Sequence, residues 1–476
     1  MIVQQFYVKA IAHSSYLLGG TDTCAIVDPR RDVQVYLDAA KDMRMTITHI
    51  LETHLHADFV SGHMDLAEAT GATIYAPKAG KCAFEHEAVA DGDTFEIEDM
   101  DLMVLETPGH TPEHVSYVVT DRARSEQPAG VFCGDTLFVG DVGRPDLFPG
   151  IAKELASKLF DSLHGKLMKL PDFCEVYPAH GAGSLCGRAM GAKRTSTIGY
   201  ERQFNGALQI GDREQFIASL TTNMPPAPDH FSRCSAINAK GPALVRDLPT
   251  PAPLAPATFR EQSEADGTVV VDIRSYEAFG GQHVPGAWHI DFGGNFATFA
   301  GWVLPEGATI LLVTEDGAER AQEAAMWLRR VGLDNVEGFL DGGMFAWSNA
   351  GLPVGHVAPL SAEELHERIT GQAPVTLLDV RTPAEHEGQH IDGSANIPAP
   401  DLRERHTELD PGGAVVIICN TGHRSSLAAS ILKQHGFTNV SNVAGGMMGY
   451  SAAGYAKECP ICVLPHGPRF VGKDAD

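Results

Sequence analysis

The feature that most constrains the fold is an internal repeat in the second half of the chain. Asp379-Val-Arg-Thr-Pro-Ala-Glu-His-Glu-Gly-Gln-His-Ile-Asp-Gly repeats Asp272-Ile-Arg-Ser-Tyr-Glu-Ala-Phe-Gly-Gly-Gln-His-Val-Pro-Gly. An apolar run follows each copy and ends at Cys419 in the second copy but at Thr314 in the first. A period of roughly a hundred residues is typical of tandem domains rather than of a solenoid. Within each copy strands alternate with helices, which predicts a parallel sheet covered by helices on both faces.

At 476 residues the chain is too long for one ordinary domain. We predict three domains, at residues 1–247, 258–354 and 359–466. Four prolines between Asp247 and Ala257 indicate a semi-rigid linker after the first domain. The beginning of the first domain predicts short strands and one helix, namely strands at Val3–Ala10, Ser14–Gly19, Thr23–Val27 and Thr46–Glu52 and a helix at Val33–Lys41.

Composition excludes several classes of partner. The formal net charge of −25 argues against nucleic acid and anionic membrane surfaces as partners. We find neither a signal-peptide pattern nor an apolar stretch long enough to span a bilayer. The nine cysteines are scattered, which indicates a reducing compartment, and we predict a cytoplasmic location. The oligomeric state is left open, with a homo-oligomer among the arrangements the sequence allows.

Histidine and aspartate residues follow several predicted strands of the first domain. His54, His56 and Asp58 alternate directly after the strand at Thr46–Glu52, so we expect their side chains to converge above the sheet. The later candidates each follow a β-rich run with Gly or Pro nearby, namely His110, Asp135 and His180. Together they predict a metal site.

This arrangement resembles the metallo-β-lactamase superfamily, whose signature is His-x-His-x-Asp-His followed by a distant His, Asp and His. The resemblance covers most of residues 1–205 and implies an αββα sandwich with metal at one edge. Phe59 stands where dinuclear members have a histidine for the second metal. We therefore expect one metal per chain rather than two.

Further motifs resemble the persulfide dioxygenase branch of that superfamily: Gly134-Asp135-Thr-Leu-Phe138, Gly143-Arg144-Pro-Asp146, Ser196–Asn205 and Asn223–Pro228. The resemblance implies one non-haem Fe(II) held by His54, His110 and Asp135. Two histidines and one carboxylate leave coordination positions open for a persulfide and O₂.

Other residues around the implied metal would support it. His56, Asp58 and His180 are expected to orient the ligands and to hydrogen-bond bound water, and the sequence leaves open whether His56 itself binds the metal. Arg144 is expected either to clamp the carboxylate of a thiol cofactor or to form a surface salt bridge.

The second repeat copy carries a candidate nucleophile. Cys419 ends a predicted strand and opens the loop Cys419-Asn-Thr-Gly-His-Arg424. Backbone N–H groups of such a loop can curl around the sulfur, and the helix beginning near Ser425 directs its positive end toward it. These effects, together with the nearby Arg424, favour the thiolate. We predict Cys419 and Arg424 as catalytic residues.

With Asp379-Val-Arg381 upstream and Gly445-Gly446-Met447 downstream, this loop resembles the rhodanese (sulfurtransferase) family over roughly residues 359–458. The resemblance implies that Cys419 accepts a sulfane sulfur as a persulfide and passes it to a thiol or cyanide. Arg381 is expected to support the fold through an ion pair. The first copy resembles the same family, but acidic residues in its loop would repel sulfur anions, and we predict that it is inactive; the residues concerned are Thr314, Glu315, Asp316 and Glu319.

The whole arrangement resembles bacterial fusions of a persulfide dioxygenase-like domain, an inactive rhodanese and an active rhodanese. It implies sulfide detoxification, in which an Fe(II)- and O₂-dependent site oxidises a low-molecular-weight thiol persulfide, of the glutathione or coenzyme A type, to sulfite. Cys419 would exchange sulfane sulfur with thiosulfate or persulfide, in a direction the sequence leaves open.

Two other hypotheses stay open. One is a zinc-dependent thioesterase resembling hydroxyacylglutathione hydrolase, against which Phe59 argues, because that chemistry generally uses two metals in this superfamily. The other is a sulfur-binding or partner-docking module on an inactive metal domain. The pair Cys459-Pro-Ile-Cys462 has no assigned role.

Overall fold

The computed structural model describes residues 1–456, apart from residues 189, 223, 225, 226 and 294. The predicted segment Asn223–Pro228 lies partly outside the described residues, and Cys459 and Cys462 lie entirely outside them. The chain forms two compact units. Unit 1 comprises residues 1–251, 293–308 and 322–337, and unit 2 comprises residues 252–292, 309–321 and 338 onward. Because these units are discontinuous in sequence, the predicted three-domain boundaries stay a prediction.

Unit 1 is built on two six-stranded sheets. The first contains, in both sequence and spatial order, β1 (Ile2–Val8), β2 (His13–Gly19), β3 (Thr23–Val27), β4 (Thr46–Leu51), β5 (Thr73–Pro77) and β6 (Glu87–Val89). The second contains β7 (Thr94–Ile97), β8 (Met100–Glu106), β9 (Val115–Asp121), β10 (Gly130–Gly134), β11 (Glu175–Pro178) and β12 (Ser196–Thr197), with β12 and β7 at its two edges. The predicted strands agree with β1 to β4, except that β1 ends earlier because Ile11 N–H bonds back to the Val8 carbonyl in a turn.

The two sheets face each other and helices cover their outer faces. The core between the sheets is drawn from both, including Leu18, Val27, Leu102, Tyr117 and Phe132. The helices of the first 251 residues are α1 (Gln34–Met43), α2 (His63–Thr70), α3 (Ala152–Phe160), α4 (Ile198–Phe204), α5 (Arg213–Thr221) and α6 (His230–Lys240). Burial on both faces explains why every residue of β2 is buried. The predicted αββα sandwich is confirmed.

Each repeat copy forms a five-stranded sheet with the same strand order. The first copy contains β13 (Ala252–Leu254), β14 (Thr268–Asp272), β15 (Trp288–His289), β16 (Thr309–Val313) and β17 (Val336–Leu340), ordered β13-β17-β16-β14-β15. The second contains β18 (Ala358–Leu360), β19 (Val375–Asp379), β20 (Ala395–Asn396), β21 (Ala414–Ile418) and β22 (Val440–Val443), ordered β18-β22-β21-β19-β20. The sheet of the second copy is parallel throughout, as predicted.

Five helices accompany each of these sheets. Those of the first copy are α7 (Pro256–Ser263), α8 (Tyr276–Gly281), α9 (Phe296–Val303), α10 (Gly317–Arg330) and α11 (Gly343–Asn349). Those of the second are α12 (Ala362–Thr370), α13 (Pro383–Gly388), α14 (Leu402–Arg405), α15 (His423–Gln434) and α16 (Gly446–Ala452). Short 3₁₀ segments lie at Lys78–Gly80, Leu167–Lys169, Ala207–Gln209, Val245–Asp247, Ala399–Asp401 and His406–Glu408, and a π-helical segment lies at Asp161–Lys166. None of the helices in the described part of the chain combines the length and apolar character needed to cross a bilayer.

Part of the predicted linker is a strand. Ala252–Leu254 pairs in parallel with β17 at the edge of its sheet, and Ala358–Leu360 repeats the same three residues at the edge of the other. An edge strand tolerates Pro253 because one side of its backbone needs no partner. The linker prediction is therefore wrong at these residues. The prolines around them indicated a linker, and the three-residue Ala-Pro-Leu repeat was too short to be recognised as a strand.

The Asp-x-Arg motif is an ion pair in both copies. Arg274 Nη2 lies 2.6 Å from Asp272 Oδ2, and Arg381 Nη2 lies 2.6 Å from Asp379 Oδ2. Both carboxylates are fully buried, so each guanidinium compensates an otherwise unpaired charge. The predicted ion pair of Arg381 is confirmed.

The core of the second copy gives a test of this fold. Ile417 is fully buried in the central strand β21. We expect Ile417→Ala to lower the free energy of unfolding by about 2–5 kcal/mol, because it removes buried methyl groups and leaves a cavity. Denaturant unfolding followed by circular dichroism measures this change. Met448→Ala, at a side chain that is 40% exposed, is the control and should change stability by less than about 0.5 kcal/mol.

Candidate metal centre and thiol site

Three of the predicted metal ligands meet at one edge of the sandwich. His54 follows β4, His110 follows β8 and Asp135 follows β10 directly. One ligand atom from each side chain lies within 4.8 Å of the other two, and all three side chains are fully buried. The ends of strands from both sheets thus bring two imidazoles and one carboxylate together.

Hydrogen bonds fix which imidazole nitrogen faces the carboxylate. The Thr53 hydroxyl donates to Asp28 and accepts from His54 Nδ1 at 2.9 Å, and His110 Nδ1 donates to the Arg144 carbonyl at 2.9 Å. The Nε2 atoms of His54 and His110 have no hydrogen-bond partner in the described structure. They lie 3.8 and 3.3 Å from Asp135 Oδ2. Buried nitrogens left unpaired beside a carboxylate fit a metal ion.

The protonation states also suit a metal. Burial lowers the pKa of His54 and of His110, so both imidazoles are neutral, which is the form that binds metal. Burial opposes ionisation of Asp135, but the neighbouring His180 and His110 outweigh it and hold the pKa of this carboxyl well below its usual range. The site therefore presents two neutral nitrogens and one carboxylate.

His180 connects Asp135 with Asp58. His180 Nδ1 lies 2.7 Å from Asp135 Oδ1, and His180 Nε2 lies 2.8 Å from Asp58 Oδ2. Burial opposes protonation, yet the two carboxylates raise the pKa of His180 well above its usual value. Cys186 joins this group, with ligand atoms of Asp58, His180 and Cys186 within 4.8 Å of one another. Sequence reasoning missed Cys186 because no motif surrounds it.

His56 faces a different cluster. Its Nε2 lies 3.1 Å from Asp28 Oδ1 and 3.8 Å from Glu52 Oε2. The expectation that His54, His56 and Asp58 converge on one point is thus wrong, since His56 faces Asp28 and Glu52 while Asp58 lies with His180 and Cys186. The physical reason is that the chain leaves the extended conformation after β4, so side chains no longer alternate with a period of two. Sequence reasoning also missed Asp28, although it directly follows a predicted strand.

The backbone beside Asp135 is tightly enclosed. His114 Nε2 accepts a hydrogen bond from the Asp135 N–H at 2.9 Å, and the His114 ring stacks on His54 with centroids 4.8 Å apart. Gly134 has a φ of +49°. A Cβ there would lie 2.5 Å from Thr53 Oγ1 and closer still to His114 Nε2. Only glycine fits without displacing the groups that orient the site.

Phe59 fills the position where the sequence analysis noted a missing histidine. Its ring is fully buried, with centroids 4.0 Å from His13 and 4.4 Å from His56. It packs in an apolar cluster with Val8, Ile11 and Trp327. An apolar ring offers no ligand atom for a second metal.

Residues from the first repeat copy hold the loop that contains Phe59. Val60 N–H donates to the Arg330 carbonyl at 2.6 Å, and the Arg330 guanidinium lies 2.6 Å from Asp32 Oδ1. The same guanidinium stacks over the Trp327 ring at 3.8 Å, and Trp327 packs against Phe59. All of these residues belong to unit 1.

A pocket opens beside Asp58 in unit 1. Its lining includes Ala10, Ile11, Asp58, Leu185, His230 and Thr298. His230 is buried, its Nδ1 has no hydrogen-bond partner in the described structure, and burial lowers its pKa to about 4. The pocket therefore adjoins Asp58, the carboxylate that contacts His180.

Arg144 forms an ion pair, but a buried one. Its side chain is 1% exposed, and its Nε and Nη2 each lie 2.7 Å from an Asp146 carboxylate oxygen. Its Nη1 donates to the Leu185 carbonyl at 3.1 Å. The expected ion pair is therefore present, but its guanidinium is buried while the Asp146 side chain is 23% exposed. The expected clamp on a thiol cofactor stays a prediction.

Cys419 lies at the end of β21 and is 1% exposed. The Gly422 N–H donates to Cys419 Sγ at 3.1 Å, and Ser425 Oγ lies 3.3 Å from the same sulfur. Helix α15 begins at His423, so its N-terminal end adjoins the loop. Both the N–H group and the helix end favour negative charge on the sulfur.

A polar pair below the loop escaped the sequence analysis. Ser425 Oγ lies 2.6 Å from Asn442 Oδ1, and Asn442 Nδ2 donates to the Gly422 carbonyl at 3.1 Å. Asn442 pairs with Pro359 in the second copy as Phe339 pairs with Pro253 in the first, so Asn442 and Phe339 occupy equivalent positions of the repeat. This replacement of an aromatic residue by a polar one was the signal in the sequence that could have identified Asn442.

Arg424 is held in a bidentate ion pair. Its Nη1 and Nη2 each lie 2.7 Å from a Glu385 carboxylate oxygen. Burial opposes ionisation of Glu385, but Arg424 outweighs it and lowers the pKa of Glu385 to about 2. The guanidinium is therefore fixed near the Cys419 loop, and its catalytic role stays a prediction.

The corresponding loop of the first copy holds no thiol. Thr314 Oγ1 accepts a hydrogen bond from the Asp316 N–H at 3.2 Å, so the hydroxyl closes its own loop. Glu315 Oε1 lies 3.7 Å from Arg274 Nη1. The loop therefore presents hydroxyl and carboxylate groups where the second copy presents Cys419.

Two family profiles match the chain. The metallo-beta-lactamase superfamily matches residues 8–180, and the rhodanese-like domain matches residues 255–350 and 361–453. The matched ranges contain both candidate sites.

Individual proteins resemble parts of the chain. A hydroxyacylglutathione hydrolase of Rhodospirillum rubrum is 38% identical over 34% of this chain, and the match spans 58% of that protein's length. A mitochondrial persulfide dioxygenase of Bos taurus is 28% identical over 48% of this chain and 84% of that protein. The crystal structure of a metallo-beta-lactamase from Staphylococcus aureus subsp. aureus COL is 35% identical, with a TM-score of 0.65, over 71% of this chain and 98% of that one. On this evidence the chain belongs to the metallo-β-lactamase superfamily, with two rhodanese-like domains following the metallo-β-lactamase domain.

Proposed function

We propose that this protein is an Fe(II)-dependent persulfide dioxygenase joined to a sulfurtransferase. One observation carries the proposal: a buried set of two neutral imidazoles and one carboxylate occurs on the same chain as a cysteine held at a helix start. His54, His110 and Asp135 would hold the iron. Bound Fe(II) would supply open coordination positions and the electrons for O₂ activation.

The net oxidation balances with water. A thiol persulfide, one O₂ and one water give the thiol, sulfite and two protons, as the outer sulfur loses four electrons to O₂. Asp135 Oδ1, His180 and Asp58 form a connected chain that can hold or pass a proton toward the pocket. Phe59 and His13 would keep bulk water from the opposite side of the centre.

Cys419 would carry out the sulfur transfer. Its thiolate attacks the sulfane sulfur of thiosulfate, the S–S bond breaks, and sulfite leaves with the bonding electrons. A thiolate acceptor then takes the outer sulfur and regenerates Cys419. The Gly422 N–H and the start of α15 would stabilise the Cys419 thiolate before it takes up the sulfur and again after it has passed the sulfur on.

A zinc-dependent thioesterase is the second candidate, since hydroxyacylglutathione hydrolases are among the relatives. Phe59 weighs against it, because its ring removes a ligand position for a second metal. The two candidates differ in metal stoichiometry and in their need for O₂.

We expect protein loaded with one Fe(II) per chain to consume about one O₂ for each glutathione persulfide, following the balance above. A Clark electrode and sulfite analysis measure both quantities. Cys419→Ser should abolish transfer from thiosulfate while O₂ uptake continues. Iron-loaded protein that takes up no O₂ would contradict the dioxygenase assignment.

Zinc loading distinguishes the thioesterase from the dioxygenase. We expect the zinc-loaded protein to bind one metal per chain and to hydrolyse S-lactoylglutathione poorly, because Phe59 removes one ligand of a second site. Metal analysis and a thioester assay measure this. Two tightly bound zinc ions with rapid hydrolysis would favour the thioesterase instead.

The enclosed glycine provides a further test. We expect Gly134→Ala to lower metal affinity by about 10–100-fold, because its Cβ would displace Thr53 and His114 from the groups they orient. Competition with a chelating dye measures the affinity. Gly150→Ala is the matched control, since this glycine also has positive φ but no atom within 4 Å of the added Cβ. Equal losses in both variants would show that backbone strain, and not the site, is responsible.

A further inference from the structure

A tyrosine of the first repeat copy lies on the Cys419 loop of the second. A Cβ built on Gly422 would lie 2.9 Å from Tyr276 Cζ and 3.1 Å from Tyr276 Cε1. The same Gly422 donates its N–H to Cys419 Sγ. The phenol ring therefore covers the segment of backbone that holds the sulfur. Both residues belong to unit 2.

Other contacts of unit 2 keep Tyr276 in place. Its ring meets the His423 ring edge to face, with centroids 5.3 Å apart. His423 Nδ1 lies 3.0 Å from Asp291 Oδ2, and the His289 N–H donates to Ser430 Oγ at 3.0 Å. Helix α15 is thus joined at its first turn and at its middle to residues of the first copy.

The tyrosine is specific to the first copy. The repeat places Pro383 at the corresponding position of the second copy. Tyr276 is half-buried, so part of the residue is exposed to solvent. Burial, with a smaller effect of the hydrogen bond to Glu277, raises the pKa of Tyr276, so the phenol stays neutral.

We propose that Tyr276 is a specificity-determining residue of the Cys419 site, supplied by the copy that lacks a thiol in its own loop. Its ring narrows the approach to Cys419, so slim sulfane-sulfur compounds such as thiosulfate and linear alkyl persulfides reach the sulfur, and aryl or branched ones do not. This inference rests on the proposed sulfur transfer at Cys419.

Thiol alkylation tests the steric part without requiring catalysis. Rates at Cys419 are measured by peptide mass spectrometry with iodoacetamide and with fluorescein maleimide. We expect Tyr276→Ala to increase the rate of the bulky reagent relative to the small one by about tenfold, whereas Tyr276→Phe leaves the ratio unchanged. An unchanged ratio in Tyr276→Ala would overturn the proposal. Tyr276→Leu replaces Tyr276→Ala if the latter does not fold, and should give an intermediate ratio.

Steady-state kinetics tests the selection of donors. We expect Tyr276→Ala to raise kcat/KM for benzenethiosulfonate relative to thiosulfate by about tenfold, and Tyr276→Phe, which keeps the ring, to leave this ratio unchanged. Phe345→Ala, at an aromatic residue of the first copy that is 78% exposed, is the control and should match the unmodified protein. If thiosulfate sulfurtransfer survives in Cys419→Ser, the proposed function fails, and the alkylation ratios still decide whether Tyr276 guards the thiol.

Discussion

The arrangement of residues around the candidate metal centre depends on the fully buried carboxylate of Asp135. Removing an ion from water costs several kcal/mol, so every polar group of this residue needs a partner. Oδ1 contacts His180, Oδ2 faces His54 and His110, and the backbone N–H bonds to His114. These partners follow strands of both sheets, and the sandwich is what brings them to one edge. The same crowding requires glycine at position 134.

Much of this arrangement could be predicted, because polar residues that follow neighbouring strands collect at one sheet edge. That rule needs only the strand ends, and it found the six candidate His and Asp residues of the first domain. The resemblance to the persulfide dioxygenase branch then singled out His54, His110 and Asp135. It failed where side-chain direction depends on loop geometry, as for His56, which faces Asp28 and Glu52. Cys186 carried no local signal, since only the folded chain brings it near Asp58. In the repeats, the sheets were predictable from alternating strands and helices, but the three-residue edge strands were too short to recognise among prolines.

The two copies of the repeat show how one fold accommodates different chemistry. Both keep the buried Asp-x-Arg ion pair and the same strand order, which stabilise the sheet. They differ above the sheet, where Cys419 is supported by Ser425 and Asn442 and the first copy has Thr314 bonded into its own loop. The first copy, which has no thiol in its own loop, instead places the ring of Tyr276 against Gly422 of the second copy.

The discontinuity of unit 1 has a consequence for synthesis on the ribosome. Segments 293–308 and 322–337 belong to this unit but are translated after residue 251. At about 5–20 residues per second, the last of them emerges on the order of ten seconds later. Until then Phe59 lacks Trp327 and the Val60 N–H lacks its carbonyl partner on Arg330. The loop that contains Phe59 is therefore incomplete during this interval, because its last packing and hydrogen-bond partners are made with the first repeat copy.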